Sequence, residues 1–304
     1  MMKGLEALAV ELMNASRNPS KNIERPEPPP PAPSSWDWSH IKVEGDGGVL
    51  RASIAEPYHR GCSDCHRYWR DGTGYVDCTI DGPFGETKAV QECPKCSKLK
   101  AMAKTVNRSR MPSKFLDRDF DWSVVMVDGE RDPRGPLFDW VSGCCDWIAS
   151  GSNGEDRPSS IALLGPTGRG KSHAAFMLLR RAIARGFFVR WCHWSELLDS
   201  VMSKKKAQSE AFDSVLIEPG LVVVDDFGVG VHSGWARDIA CAFLESVPSR
   251  TFCIYTTNGV PDDPGANGLD SMIGARAASR LSGVCGRGAL FFEFQGQDWR
   301  KGQS

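Results

Sequence analysis

Residues 161–181 read IALLGPTGRGKSHAAFMLLRR, and this stretch constrains the fold more than any other. An apolar, strand-like run, Ile161–Leu164, leads into Gly165-Pro166-Thr167-Gly168-Arg169-Gly170-Lys171-Ser172-His173. An apolar helical pattern follows. The spacing G-x-x-x-x-G-K-S is that of a phosphate-binding loop. Its glycines let backbone N–H groups curl around phosphate oxygens with no Cβ in the way. Lys171 would carry charge to the outer phosphates, and Ser172 would offer a hydroxyl to Mg²⁺. The helix that starts there aims its positive end at the same anion. The nine residues Gly165–His173 are therefore the expected ATP cradle.

The surrounding pattern fits that loop. Apolar runs recur at Phe187–Trp191, Leu221–Val224, Phe252–Thr256 and Leu290–Phe294, with helical stretches between them such as Ser172–Arg185. Gly186 is the expected C-cap of that helix. Strands alternating with helices imply an α/β fold, a parallel sheet covered on both faces. The chain has 304 residues, enough for one such domain and a smaller module. Its net charge of −1 makes any nucleic-acid surface a local patch.

The run Leu221-Val-Val-Val-Asp225-Asp226 reads as a buried strand ending in two carboxylates. Strand C-termini are where ligands bind in open α/β sheets. Asp225 would belong to the Mg²⁺ shell, and Asp226 would orient and polarise an attacking water. One strand later, Asn258 could hydrogen-bond that water or the γ-phosphate, or simply serve the Asn258-Gly259 pair as a turn residue. Arg276 and Arg280 lie four apart and can share one helix face. Such a face is either salt-bridged and solvated or directed at the nucleotide of a neighbouring subunit.

The first part of the chain differs in kind. Residues 1–25 hold a short amphipathic helix around Leu5–Met13, which either packs on this chain or docks on a partner. Residues 26–57 form a proline-rich linker and lead-in, with four consecutive prolines at 28–31. Residues 58–100 carry two C-x-x-C pairs, Cys62/Cys65 and Cys93/Cys96, which would hold one tetrahedral Zn²⁺. The long spacing between the pairs predicts an extended hairpin or an extra loop, and His66 and Cys78 are spare candidate ligands. The remaining residues, 101–304, would be the ATPase domain. Between 97 and 114 the chain is basic with no acidic residue, and His66–Arg70 combines aromatic and basic groups. These could track single-stranded DNA or be solvated charge. The eleven cysteines, the lack of a leader pattern and the lack of a long apolar run point to the cytoplasm.

Taken together, GPTGRGKSH, LVVVDDFG, Arg250 with IYTTN, and the late ASRL resemble the DnaC-type helicase-loader branch of the AAA+ superfamily and its relative, the IstB transposition ATPase. The resemblance covers roughly residues 111–300. It implies a P-loop three-layer sandwich with a five-stranded parallel sheet in the order 5-1-4-3-2, no C-terminal lid, and a small N-terminal zinc module. It also implies ATP hydrolysis, self-association through the ATP sites, and two partners: a DnaB-like replicative hexameric helicase and single-stranded DNA. By the same resemblance Asn258 is the first sensor and Arg280 the arginine finger, with Arg276 as its alternate. The segment Phe227-Gly-Val-Gly-Val231 departs from the branch, which often has an acidic residue there.

Overall fold

A computed structural model describes residues 41–54, 75–82, 85–92, 94–117, 125–127, 130–131, 160–203, 207–216, 220–230, 233–248, 251–259, 265, 268–282, 289–294 and 298. Strands β7 (Ser160–Leu164), β8 (Val189–His193), β9 (Gly220–Asp225), β10 (Thr251–Thr256) and β11 (Ala289–Phe294) are mutually parallel where they pair. Their spatial order is β11-β7-β10-β9-β8, the expected 5-1-4-3-2. The sheet is longer than expected by two short strands, β5 (Val125–Val127) and β6 (Glu130–Arg131). β5 pairs antiparallel with β11 and β6 antiparallel with β5, making a seven-stranded sheet among the described residues.

Every residue of β7, β9 and β10 is buried, because both faces of these central strands are covered. Alternate side chains serve opposite faces. Ile161, Leu163, Leu221, Val223, Phe252 and Ile254 join one apolar cluster. Ala162, Leu164, Val222, Val224, Cys253 and Tyr255 join the other.

The first cluster is shared with helix α2 (Lys171–Ala184), helix α1 (Pro94–Ser109) and the hairpin of β1 (Ile41–Asp46) and β2 (Val49–Ile54). Helix α2 ends as expected at Gly186, φ 87°. The N–H of Gly186 reaches the Ile183 carbonyl at 2.8 Å, and that of Phe187 reaches Ala182 at 3.1 Å. These two bonds form a Schellman motif, which satisfies the last carbonyls of the helix. The second cluster is closed by α3 (Trp194–Met202), α4 (Gln208–Asp213), α5 (Gly234–Ser246), α6 (Leu269–Ile273) and α7 (Ala275–Leu281).

Two features lie where the sequence suggested linker and boundary. Residues 41–54, within the expected 26–57 lead-in, form the β1–β2 hairpin. Helix α1 runs unbroken across the expected boundary at residues 100 and 101. It buries Leu99, Met102, Ala103 and Val106, an i, i+3, i+4, i+7 stripe. Asn107 then fastens the hairpin to the helix. Its Oδ1 accepts from the Ala52 N–H and its Nδ2 donates to the Ala52 carbonyl, both at 2.8 Å. Asn107→Ala strips both partners from a part-buried strand edge. Thermal unfolding should show a loss of about 1–3 kcal/mol, and an unchanged melting temperature would refute this role.

Strands β3 (Tyr75–Gly82) and β4 (Gly85–Glu92) form a second antiparallel hairpin between the two C-x-x-C pairs. Cys62, Cys65, Cys93, His66, the opening helix and the proline run lie outside the described residues, as do the side chains of Cys78 and Cys96. No helix among the described residues is long and apolar enough to cross a membrane.

Candidate nucleotide site

The loop between β7 and α2 is shaped by close approaches. Gly165 has φ 125°, and a Cβ there would come within 2.5 Å of the Phe294 carbonyl oxygen on β11. Gly168 has φ 84°, and its Cβ would lie 2.0 Å from an Asp298 carboxylate oxygen. Only glycine satisfies both the left-handed backbone and the missing volume.

Lys171 opens α2 and is 6% exposed. Its Nζ donates to the carbonyl oxygens of Gly165 at 2.6 Å and Pro166 at 2.9 Å. It also donates to Asn258 Oδ1 at 2.9 Å. The ammonium is therefore held at the mouth of the loop by neutral oxygens. Asn258 belongs to this site rather than serving only as a turn residue. Beside the loop, His173 stacks on Phe115, with centroids 5.1 Å apart and planes 6° apart. Phe115 lies in the short helical turn Ser113–Phe115. The Nε of Arg169 is buried without a hydrogen-bond partner.

The carboxylates arrive from β9. Asp225 is 1% exposed. The Thr256 hydroxyl at the end of β10 donates to Asp225 Oδ1 at 2.7 Å, and accepts from the Asp226 N–H at 2.9 Å. One hydroxyl thus fixes both acids. His193, at the end of β8, brings Nδ1 within 3.3 Å of Asp225 Oδ2. Ligand atoms of His193, Asp225 and Asp226 lie within 4.8 Å of one another. Asp226 is exposed with φ 55°, a left-handed conformation uncommon for a side chain other than glycine or asparagine. Partial desolvation first, then the neighbouring Asp225 charge, raise its pKa; His193, Lys171 and Lys114 oppose the shift.

These residues suit a phosphate chain and a divalent cation. The loop has the glycine-only cradle and a buried lysine. The facing strand presents an anchored carboxylate, Asp225, and a solvent-facing one, Asp226. Ser172 stands next to Lys171 in the first turn of α2, as a hydroxyl ligand to the same cation requires.

The arginines lie elsewhere. On α7, Arg280 forms an ion pair with Glu245 of α5, and Arg276 approaches the same carboxylate at 3.4 Å. Arg276 is 73% exposed and Arg280 33%. Within one chain these residues form a salt-bridged helix face. Sequence reasoning passed over His193 and Glu245. Neither belongs to a motif, and each finds its partner only through sheet order or helix packing.

The parallel sheet order, the loop between its first strand and helix, and the acidic strand two places away give the fold of a P-loop nucleotide-binding domain. Residues 143–260 match the family described as IstB-like ATP binding protein. Among solved structures the chain is similar to the DnaC helicase loader, at 18% identity and TM-score 0.38, covering 55% of this chain and 95% of that one. It is also similar to DnaI, at 15% identity and TM-score 0.42, covering 62% and 96%. A DNA replication initiation factor matches at 17% identity and TM-score 0.40, covering 54% and 47%. No curated protein matches the chain in sequence.

Proposed function

We propose that this chain hydrolyses ATP to load a DnaB-like replicative helicase onto single-stranded DNA. The observation that carries the hydrolytic part is the meeting of Lys171 with Asn258 at 2.9 Å, opposite an Asp225–Asp226 pair held by Thr256. Mg²⁺, when bound, supplies positive charge to the outer phosphates, with Ser172 and Asp225 as its protein ligands. Lys171 neutralises phosphate charge. Asn258 positions the lysine and can hydrogen-bond the attacking water. Asp226, free at the strand end, orients that water and receives its proton. Arg280, or Arg276, exchanges Glu245 for a neighbouring subunit's phosphate when copies assemble.

The loading part rests on the motif set GPTGRGKSH, LVVVDDFG, IYTTN and ASRL. The zinc module is its helicase-docking element in this reading. The β3–β4 hairpin supports one metal site: it sets Tyr75 opposite Glu92, and Cys93 follows Glu92 directly in sequence. Folding energy in so small a unit would come from Zn²⁺. A second reading, an ATPase that assembles on duplex DNA to regulate transposition, is favoured by the match of residues 143–260 to the IstB-like family.

Light scattering on mixtures with a replicative helicase, with and without ATP, separates the two. A loader forms a complex that survives Lys171→Ala and is lost in Cys62→Ser. Absence of any complex, together with ATP-dependent filaments on duplex DNA, would favour the transposition-type ATPase.

A further inference from the structure

Strand β8 is the last strand of the large sheet, so among the described residues one of its edges carries no further strand. Helix α1 packs against it. The apolar stripe of α1 is buried, which leaves Lys104 and Arg108, one turn apart, on the exposed face. Arg110 follows the end of the helix, also exposed, with φ 59°. That position usually belongs to glycine or asparagine, and a long side chain there is strained. The turn around it is nevertheless fixed: Ser109 Oγ donates to the Val106 carbonyl at 2.7 Å and accepts from the Met111 N–H at 3.2 Å.

From the strand side comes Arg190. Its Nε is buried without a hydrogen-bond partner. Its pKa is lowered by desolvation, then by the charge of Arg110, with Arg108 contributing less. The guanidinium groups of Arg108 and Arg110 therefore both lie within electrostatic reach of Arg190. None of the three has a carboxylate partner among the described residues. The nearby Cys192 thiol, pushed up to about 12 mainly by burial, is neutral and offers no counter-charge. Phe188, two residues before Arg190 in sequence and 56% exposed, adds an aromatic surface just ahead of β8.

We propose that Arg108, Arg110 and Arg190, with Phe188 beside them, form a binding site for the phosphate backbone of single-stranded nucleic acid at the β8 edge. This rests on the reading that single-stranded DNA is a partner, and it gives that partner a place. Three like charges held together without a counter-ion are satisfied by a ligand with regularly spaced negative charges. Guanidinium forks suit phosphate oxygens in particular. An exposed phenyl ring next to the charges suits a stacked base and gives no advantage to an acidic peptide.

The test is fluorescence anisotropy of the full chain with a labelled oligothymidylate over a series of salt concentrations. The wild type should bind with affinity that falls as salt rises. Replacing the three arginines by glutamine should weaken binding about tenfold or more, and reduce the slope of log affinity against log salt by about 2. Phe188→Ala should weaken binding without changing the slope. Nucleotide binding by the triple variant should match the wild type, which checks that it is folded. If the wild type binds DNA and the triple variant keeps both affinity and slope, the site is wrong and the DNA partner stands. If the variant instead loses polyglutamate binding and keeps DNA binding, the edge is a protein-docking surface and the proposal falls. If the wild type binds no single-stranded DNA at any salt, both the site and the DNA part of the proposed function fall.

Discussion

Lys171→Ala should lose the stabilisation that nucleotide gives the wild-type protein. At ligand near a hundred times its dissociation constant, binding to the folded state alone adds about 2.7 kcal/mol. For a chain of this size that raises the melting temperature by roughly 5–10 °C. The variant should show almost none of this rise, and hydrolysis should fall by about 10²–10³-fold, the usual cost of removing one preorganised donor from a site where charge develops. The reason is local. Lys171 Nζ meets the Gly165 and Pro166 carbonyls and Asn258 Oδ1 at the mouth of the loop. These oxygens position the ammonium where the loop would hold a phosphate. Its removal also leaves Asn258 with no anchor at the loop. Thermal shift with and without a slowly hydrolysed ATP analogue reads the first effect and phosphate release the second. A variant that keeps the full nucleotide-dependent rise would show that ATP is not held by this loop.

Much of this site was legible in the sequence because its chemistry is local. The phosphate loop, its lysine and the two aspartates follow directly on apolar runs that become β7 and β9. Sheet order then follows from how such units wind. Other parts had no local signal. The β1–β2 hairpin sits after a proline run, and its outward residues Lys42, Glu44 and Arg51 make it look like solvated lead-in. The alternation Ile41-Lys42-Val43-Glu44 and the turn Gly47-Gly48, both at positive φ, were the available signal. Strands β5 and β6, three and two residues long, are too short for a periodicity to register. His193 is a different case: it is a strand-end residue whose meaning depends on β8 lying next to β9, with His193 opposite Asp225. Glu245 likewise matters only because α5 packs on α7, and that contact places Arg276 and Arg280 on one carboxylate. The two C-x-x-C pairs are legible as spacing, and the β3–β4 hairpin between them agrees with the extension that spacing predicts.

Asp226→Asn should separate hydrolysis from binding and, unusually for an active-site change, stabilise the protein. Asparagine tolerates the left-handed backbone at φ 55°. The backbone bond from residue 226 to Thr256 Oγ1 is untouched by the change. Nucleotide-dependent stabilisation should therefore persist, because the phosphate loop and Asp225 remain. Hydrolysis should fall about 10²–10⁴-fold, the range for loss of a general base. The stability effect follows from the direction of the pKa shift. Partial desolvation and the Asp225 charge raise the Asp226 pKa above its ordinary value of 3.8. The folded state then binds more protons than the unfolded state between 3.8 and the raised value, so folding stability falls as pH rises through that window and stays lower above it. Asparagine carries no charge to desolvate. The variant should match the wild type below pH 3.8 and exceed it above the window. Solvent screening at this exposed position limits the gain to roughly 1–2 °C in melting temperature. The comparison belongs in chelator and without nucleotide, since a bound cation would offset the repulsion between the two acids. Equal melting temperatures at every pH would show that Asp226 is not destabilised by its setting, whereas undiminished hydrolysis would remove it from the catalytic role.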